Sequence, residues 1–212
     1  RLREQQDPDT GVFFDPATGV PDDPLDYSPG ASWHMYGYLS TGYALETLGS
    51  GPKYPARVIA DLTDAELRER LDALEMTWLA WGSGAWVDGL GTAMYLNRRH
   101  HGINDDGAVL WGWLLARNSA ASGLWGSRLE PAKNMNFRWL MAVNGYYRLT
   151  RGTYAQFGVA LPNPDRAIDT VLAHGRDYGW FDTDSRNACN VLDVIHPLWM
   201  LHRQLPDYRA GE

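Results

Sequence analysis

The sequence predicts an all-α protein made of repeated helical hairpins. Apolar residues recur at spacings of three and four in seven segments of the 212-residue chain, as amphipathic helices require. Long period-2 alternation, which marks strands, is absent from it. On the connections that enter the odd-numbered helices, a glycine is followed at once or one residue later by an aromatic residue four times: Gly11 with Phe13, Gly84 with Trp86, Gly123 with Trp125, and Gly179 with Trp180 and Phe181.

The first four helices follow from their patterns and end signals. The first is predicted over 32–48, where Gly49 stops it. Thr63 and Glu66 have the spacing of a capping box and open the second, over 63–80. The third runs from 86 to 101, and Gly102 is its C-terminal stop. Asp105 or Asp106 caps the fourth, which extends through residue 115.

Three more helices complete the chain. The fifth is predicted over 132–150, closed by Arg151 and Gly152. Asn163 and Pro164 supply a cap and a proline at the first helical position of the sixth, which runs through residue 172. The seventh covers 187–205, and Pro197 is expected to kink or split it.

The odd-numbered helices recur with a fixed period. They begin near residues 33, 86, 135 and 188, a spacing of about 50 residues that is typical of hairpin repeats. The odd helices are rich in glycine, alanine and aromatic residues, whereas the second helix is strongly charged. Stacked hairpins would bury the first kind as an inner layer and expose the second as an outer layer. We therefore expect alternate helices to be neighbours in a single repeat domain over 1–212.

Composition limits the function classes. The net charge of −7 argues against binding to nucleic acid or an anionic membrane surface. The single cysteine, Cys189, cannot form an internal disulfide and fits a reducing compartment. No apolar run is long enough to span a membrane, and the N-terminal residues lack a signal-peptide pattern, so a cytoplasmic location is expected. The 10 Trp and 11 Tyr favour an aromatic-lined cleft.

Two segments carry a resemblance to a known group of proteins. Residues 5–13 (QQDPDTGVF) and 122–126 (SGLWG) resemble the Gln-x-x-Asp-Gly-x-Trp/Phe loops of α/α-toroid proteins. That group includes terpenoid cyclases, protein prenyltransferases, and toroidal glycoside hydrolases and polysaccharide lyases. The resemblance implies a ring of helical hairpins. At this repeat length the chain supplies about three and a half of six hairpins, so we expect an incomplete toroid that belongs to a longer chain.

In such a ring the connections entering the inner helices meet at one end. Helix N-termini add positive potential there, which suits polar or anionic ligands. Aromatic, amide and charged side chains at this end form the predicted substrate-binding set: Trp33, Tyr36, Tyr38, Trp86, Asp88, Trp125, Asn134, Arg138, Asn190 and His196.

The candidate catalytic residues are Asp182, Asp184, Asp193 and His34. Asp182 and Asp184 offer the two carboxylates that glycosidic cleavage requires, although aspartate is equally typical of turns and caps. Asp193 lies three residues before His196 on one helix face and can orient its imidazole. The same ladder, with Asn187 and Asn190, is also typical of a buried polar network.

The resemblance supplies the hypothesis for His34. Toroidal polysaccharide lyases use histidine and tyrosine as base and acid while asparagine or arginine neutralises a uronate, and His34, Tyr38, Asn134 and Arg138 are of those types. Packing and helix-start roles are the alternative. Ser185 stands where the proton-initiated cyclases have the last aspartate of Asp-x-Asp-Asp, which weakens that likeness. No His/Cys cluster has zinc-ligand spacing, so neither a metal nor a cofactor is expected.

These observations predict a carbohydrate-active enzyme of the α/α-toroid type that cleaves glycosidic bonds with paired carboxylates at the rim. A hydrolase is favoured over a lyase. The alternatives are a terpenoid cyclase or prenyltransferase relative and a non-catalytic helical binding or scaffold domain. The expected partner is a small-molecule or oligosaccharide substrate, with no nucleic acid and no membrane. We also expect either a homo-oligomer or further domains of the same polypeptide.

Overall fold

The computed structural model describes residues 1–17, 19–27, 33–77, 79–104, 107–126, 135–176, 181 and 187–212, with the backbone alone for 33–34 and 135–138. These residues form α-helices and no strand, although an isolated antiparallel bridge joins Gln6 and Phe13. The all-α class is therefore confirmed. The helices are α1 (Trp33–Thr47), α2 (Arg57–Ala60), α3 (Asp64–Asp72), α4 (Ala80–His101), α5 (Ala108–Arg117), α6 (Met135–Thr150), α7 (Pro164–Gly175) and α8 (Ala188–Gln204), with a 3₁₀ turn at Leu2–Gln5.

Local end signals predict several helix boundaries correctly. Thr63 and Glu66 form the reciprocal capping box at the start of α3, and Pro164 is the first residue of α7. Asn163 itself makes no side-chain cap, because its backbone is left-handed and its amide bonds elsewhere. Among the described helices, none is long and apolar enough to cross a membrane.

The start of α4 is wrong in the sequence prediction. The helix begins at Ala80, so Gly84 lies inside a helix and not on a connection. A Cβ at Gly84 would lie 2.6 Å from the carbonyl oxygen of Gly145 in α6. The glycine that suggested a turn therefore permits close contact between two helices.

Two expected helix breaks, the end at Arg151 and the split at Pro197, are also wrong, while a kink at Pro197 stays a prediction. The chain does not leave the helix at Arg151, because α6 continues into a π-helical turn at Arg151–Ala155. Helix α8 runs without a break past Pro197, which is buried. Proline removes one backbone hydrogen bond, but α8 packs along both α6 and α7, and that burial maintains the helix.

The chain divides into two compact units. Unit 1 consists of residues 1–74 and 85–113, and unit 2 of residues 75–84 and 114–212. In unit 1, α1 and α4 approach so closely that a Cβ at Gly89 would lie 2.5 Å from the Met35 carbonyl oxygen. In unit 2, a Cβ at Gly145 would lie 2.5 Å from the Ala80 carbonyl oxygen. The helices predicted as first and third, α1 and α4, are thus neighbours in unit 1, and the start of α4 neighbours α6, the predicted fifth helix, in unit 2. The single domain over 1–212 stays a prediction.

Each unit contains one copy of the same loop. In unit 1, Asp7 N–H donates to Val12 O, Gly11 N–H donates to Asp7 O (both 2.9 Å), and Gly11 has a φ of 74°. In unit 2, Ser119 N–H donates to Leu124 O at 2.9 Å, Gly123 N–H donates to Ser119 O at 2.6 Å, and Gly123 has the same φ. Segments 5–13 and 122–126, which resemble the same kind of loop in sequence, therefore form a structural repeat inside this chain.

A carboxamide clamp also occurs once in each unit. Asn97 accepts from Ala56 N–H at 2.7 Å and donates to Ala56 O at 3.1 Å. Gln204 accepts from Leu161 N–H and donates to Leu161 O, both at 2.9 Å. Each clamp ties the C-terminal part of a long helix to the segment just before a shorter one, so α4 and α8 hold equivalent places.

An aromatic pair closes each loop against the helix that follows it. The Phe13 ring lies 5.4 Å from Tyr38 of α1, and the Trp125 ring lies 5.7 Å from Tyr146 of α6. Both tyrosines are fully buried, and burial raises the pKa of both phenols above the ordinary value. These pairs make α1 and α6 equivalent, with Tyr38 matching Tyr146.

Candidate functional site

Several sequence-predicted site residues lie outside the described part of the chain. These are Asp182, Asp184 and Asn134, together with the side chains of Trp33, His34 and Arg138. Their proposed roles stay predictions.

The aromatic residues expected to line a cleft fill the core instead. Trp86 and Trp125 are 1% exposed and Tyr38 is 0% exposed. Each indole N–H donates to a backbone carbonyl, Leu25 O at 3.2 Å for Trp86 and Leu114 O at 2.7 Å for Trp125, which allows the whole ring to be buried. The burial of these three rings argues against their predicted place in a ligand cleft. Tyr36 is partly buried on α1, and Asp88 is fully buried on α4.

Three predicted residues of α8 do come together with α6 in unit 2. Asn190 and Asp193 are 3% and 0% exposed, and both lie against Asn144, which is also fully buried. The amides of Asn144 and Asn190 are 3.2 Å apart. With the Asn144 side-chain nitrogen turned toward Asp193, that nitrogen donates to Asp193 Oδ2 at 3.3 Å. Asn187 caps α8 by accepting from Asn190 N–H at 2.8 Å.

His196 continues this ladder toward the partly exposed end of the same interface. Its ring meets the Tyr147 ring edge-on at 5.1 Å and lies 6.1 Å from the Trp199 ring. The Tyr147 hydroxyl accepts from Arg151 at 2.8 Å, and the Arg151 guanidinium also lies over the Tyr147 ring. We call Asn144, Tyr147, Arg151, Asn190, Asp193 and His196 the α6–α8 cluster.

Burial sets the electrostatics of this cluster. It lowers the pKa of His196 below its ordinary value of 6.5, and the Arg151 charge lowers that pKa further. It also raises the pKa of Tyr147, against the opposing effect of Arg151. The Nδ1 atom of His196 is buried and has no hydrogen-bond partner among the described residues. His196 is therefore neutral at neutral pH, and its Nδ1 atom makes no hydrogen bond to the described residues.

The backbone beside the cluster is irregular. Arg151 begins the π-helical turn, and the preceding Thr150 hydroxyl donates back to the Tyr146 carbonyl oxygen at 2.7 Å. Turns of this kind occur often at functional sites, because the extra residue redirects side chains that a regular helix would place elsewhere. Here the irregular turn carries the Arg151 guanidinium, which donates to the Tyr147 hydroxyl.

Sequence reasoning missed Asn144, Tyr147 and Arg151. The spacing of four between Tyr147 and Arg151 was a usable local signal for a pair on one helix face. Nothing local pairs that face with α8, because the contact joins residues far apart in the chain.

The chemistry available is that of a neutral imidazole, a buried carboxylate and a phenol held by a guanidinium. Trp199 adds an indole ring that is 54% exposed beside His196, with Arg203 over it at 4.8 Å. Within the described ranges, no group of three or more His, Cys, Asp or Glu side chains is placed to hold a metal ion.

Comparison with known proteins adds no relative. No protein-family model, no curated protein and no solved structure matches this chain.

Proposed function

We propose that this chain is the hairpin-repeat part of an incomplete α/α toroid and acts on a carbohydrate by cleaving a glycosidic bond. The observation that carries the proposal is the α6–α8 cluster, which sets neutral His196 between buried Asp193 and exposed Trp199. Close contact of alternate helices within each unit, and the loop repeated in both, support the toroid architecture.

Each member of the cluster has a role in the proposal. The exposed Trp199 ring offers an apolar face for a sugar ring, and Arg151 offers donors to sugar oxygens. His196 exchanges a proton with a substrate hydroxyl or water, since its lowered pKa keeps it neutral. Asp193 positions α8 through Asn144. Asp182 and Asp184, which precede α8 in the chain, are proposed as the carboxylate pair.

A glycan panel tests the proposal. The purified chain is incubated with neutral and acidic polysaccharides, and reducing ends are assayed together with the ultraviolet absorbance of unsaturated products. Hydrolysis gives reducing ends alone, whereas elimination gives both signals. We expect activity on at least one glycan, loss of at least about tenfold in His196→Ala, and no change in His202→Ala, the matched exposed histidine of α8. Absence of both signals on every glycan would contradict the proposal.

A non-catalytic binding scaffold is the second candidate. Its supporting observation is that Asn144, Asn190 and Asp193 are almost fully buried and contact one another, as in a polar network that holds helices in register. Under this alternative, Asp193→Asn lowers thermal stability while glycan binding, measured by calorimetry, stays intact and no bond is cleaved.

A further inference from the structure

Helix α8 is covered on one face and open on the opposite one. Its buried residues are Asn190, Asp193, Pro197 and Leu201. At about 100° per residue, the positions that lie on the other side are 188, 192, 195 and 199, so the exposed Trp199 shares this side. There Leu192 is 47% exposed and Ile195 58% exposed, next to exposed Ala188 and partly buried Val191. We call Ala188, Val191, Leu192 and Ile195 the α8 outer face.

The outer face is apolar where a surface helix is normally polar. Asn187 and the four residues of the outer face line a shallow depression on it. A depression between large apolar side chains accepts a helix whose own contact residues are small.

The internal repeat shows which kind of helix fits. Gly84 precedes the clamp residue Asn97 by as many residues as Val191 precedes the clamp residue Gln204. Gly84 therefore corresponds to Val191 of the outer face. In unit 2, Gly84 lies against Gly145 of α6, where a Cβ would come within 2.6 Å of the Gly145 carbonyl oxygen. By this repeat, the α8 outer face matches the part of α4 that contacts α6.

Helix α1 is the equivalent of α6 in unit 1. The described residues leave uncovered the face of α1 that matches the Gly145 face of α6. Gly37 directly precedes Tyr38 in α1, as Gly145 directly precedes Tyr146 in α6. Among the residues that the structure describes, a Cβ at Gly37 would have no atom within 4 Å, whereas one at Gly145 would meet Ala80. One turn further along the same side, Ser40 is exposed and Ala44 is partly exposed. Small side chains on α1 thus complement the larger ones of the α8 outer face.

We propose that the α8 outer face of one molecule binds the Gly37 face of α1 of a second copy of this chain, head to tail. The contact repeats the arrangement of α4 and α6 and joins two different surfaces. It is therefore heterologous, and each added copy leaves one open face at either end until a ring closes.

The test measures mass in solution as a function of concentration. We expect the full chain to associate beyond the monomer in light scattering over roughly 1–500 µM, the range in which interfaces of modest size assemble. Ile195→Glu places a charge in the outer face, and Gly37→Trp fills the open space on α1; each variant alone is expected to remain monomeric. Leu115→Glu, at a position that is 60% exposed on α5, is the matched control and should associate like the parent.

Mixing the two variants gives the decisive result. The Ile195→Glu chain keeps an intact α1 face, and the Gly37→Trp chain keeps an intact α8 face, so an equimolar mixture should form a one-to-one dimer and nothing larger. Circular dichroism of each variant establishes that it is folded. A parent chain that stays monomeric at every concentration would overturn the proposal. Association that survives Gly37→Trp, as a symmetric α8–α8 contact would, or a mixture that fails to pair, would overturn it as well.

Discussion

Gln6 and Asn118 make the same hydrogen bond in the two units of the chain. Each donates from its side-chain amide to the carbonyl oxygen of the glycine five residues later, at 2.6 Å to Gly11 and 2.7 Å to Gly123. The Gln6 carboxamide also binds the backbone of Lys53 and Tyr54, while that of Asn118 accepts from Asn163. In both units one amide holds a tight loop against the segment that precedes another helix, α2 in unit 1 and α7 in unit 2, so the same loop arrangement occurs twice in this chain.

The glycine in each loop should tolerate no side chain. At Gly11 a Cβ would collide with the Pro55 carbonyl oxygen, and φ is 74°. We expect Gly11→Ala to lower the free energy of unfolding by about 3–5 kcal/mol, from left-handed strain plus the collision. At Gly49, φ is 69° and a Cβ would have no described atom within 4 Å, so Gly49→Ala should cost only the strain, about 1–2 kcal/mol. Urea unfolding measures both, and equal losses would contradict the collision.

The carboxamide clamps should be sensitive to truncation. Asn97→Ala leaves the buried N–H and C=O of Ala56 without their side-chain partner, at a cost of about 2–4 kcal/mol. Asn104 is exposed, and Asn104→Ala should change the unfolding free energy by less than about 0.5 kcal/mol. Thermal melts of both variants check this. A loss at Asn97 no larger than that at Asn104 would show that the clamp contributes nothing.

Acid should destabilise the fold through His196. Its pKa in the folded state lies below the ordinary 6.5, so the unfolded chain takes up a proton first as the pH falls. Stability from this group is therefore complete above pH 6.5 and declines below it. His196→Gln should reduce the slope of unfolding free energy against pH between 6.5 and about 5. An unchanged slope in His196→Gln would refute the assignment.

Alanine substitutions at two tryptophans should distinguish a packing role from a role in surface binding. Trp125 is 1% exposed and lies against both Tyr146 and Tyr154, whereas Trp199 is 54% exposed. We expect Trp125→Ala to cost about 3–5 kcal/mol and Trp199→Ala less than about 1 kcal/mol. Under the proposed function, the second substitution weakens glycan binding while the protein stays folded. Chemical denaturation and calorimetry on the same samples distinguish these outcomes.

The sequence predicts what is encoded locally. The Thr63 and Glu66 capping box and the proline that begins α7 lie within one turn of the structure they specify, and both are confirmed. The predicted start of α4 is wrong because Gly84 lowers the local helix propensity, whereas the contact between Gly84 and Gly145 favours the helix. That contact joins distant parts of the chain and leaves no local signal.

The residues of the candidate site also divide into those that local spacing predicts and those that only packing reveals. The spacing of Asn190, Asp193 and His196 places them on one helix face, but their neighbours on α6 follow only from packing. The tryptophan excess suggested an aromatic cleft, whereas Trp86 and Trp125 fill the core because backbone carbonyls accept their N–H groups. Residue counts cannot distinguish an exposed ring from a buried ring that has found an acceptor.

The π-helical turn at Arg151–Ala155 has a consequence for length changes in this chain. Such a turn holds one residue more than a regular turn, so deleting a single residue there converts it to ordinary α-helix. The residue removed is the extra one of the turn, so the helix beyond the deletion would keep its rotational register. Only the residues inside the turn would shift, and Tyr154, which contacts Trp125 at 5.6 Å, is one of them. The helix would survive such a deletion, and the effect would be confined to the aromatic contact that the turn itself makes.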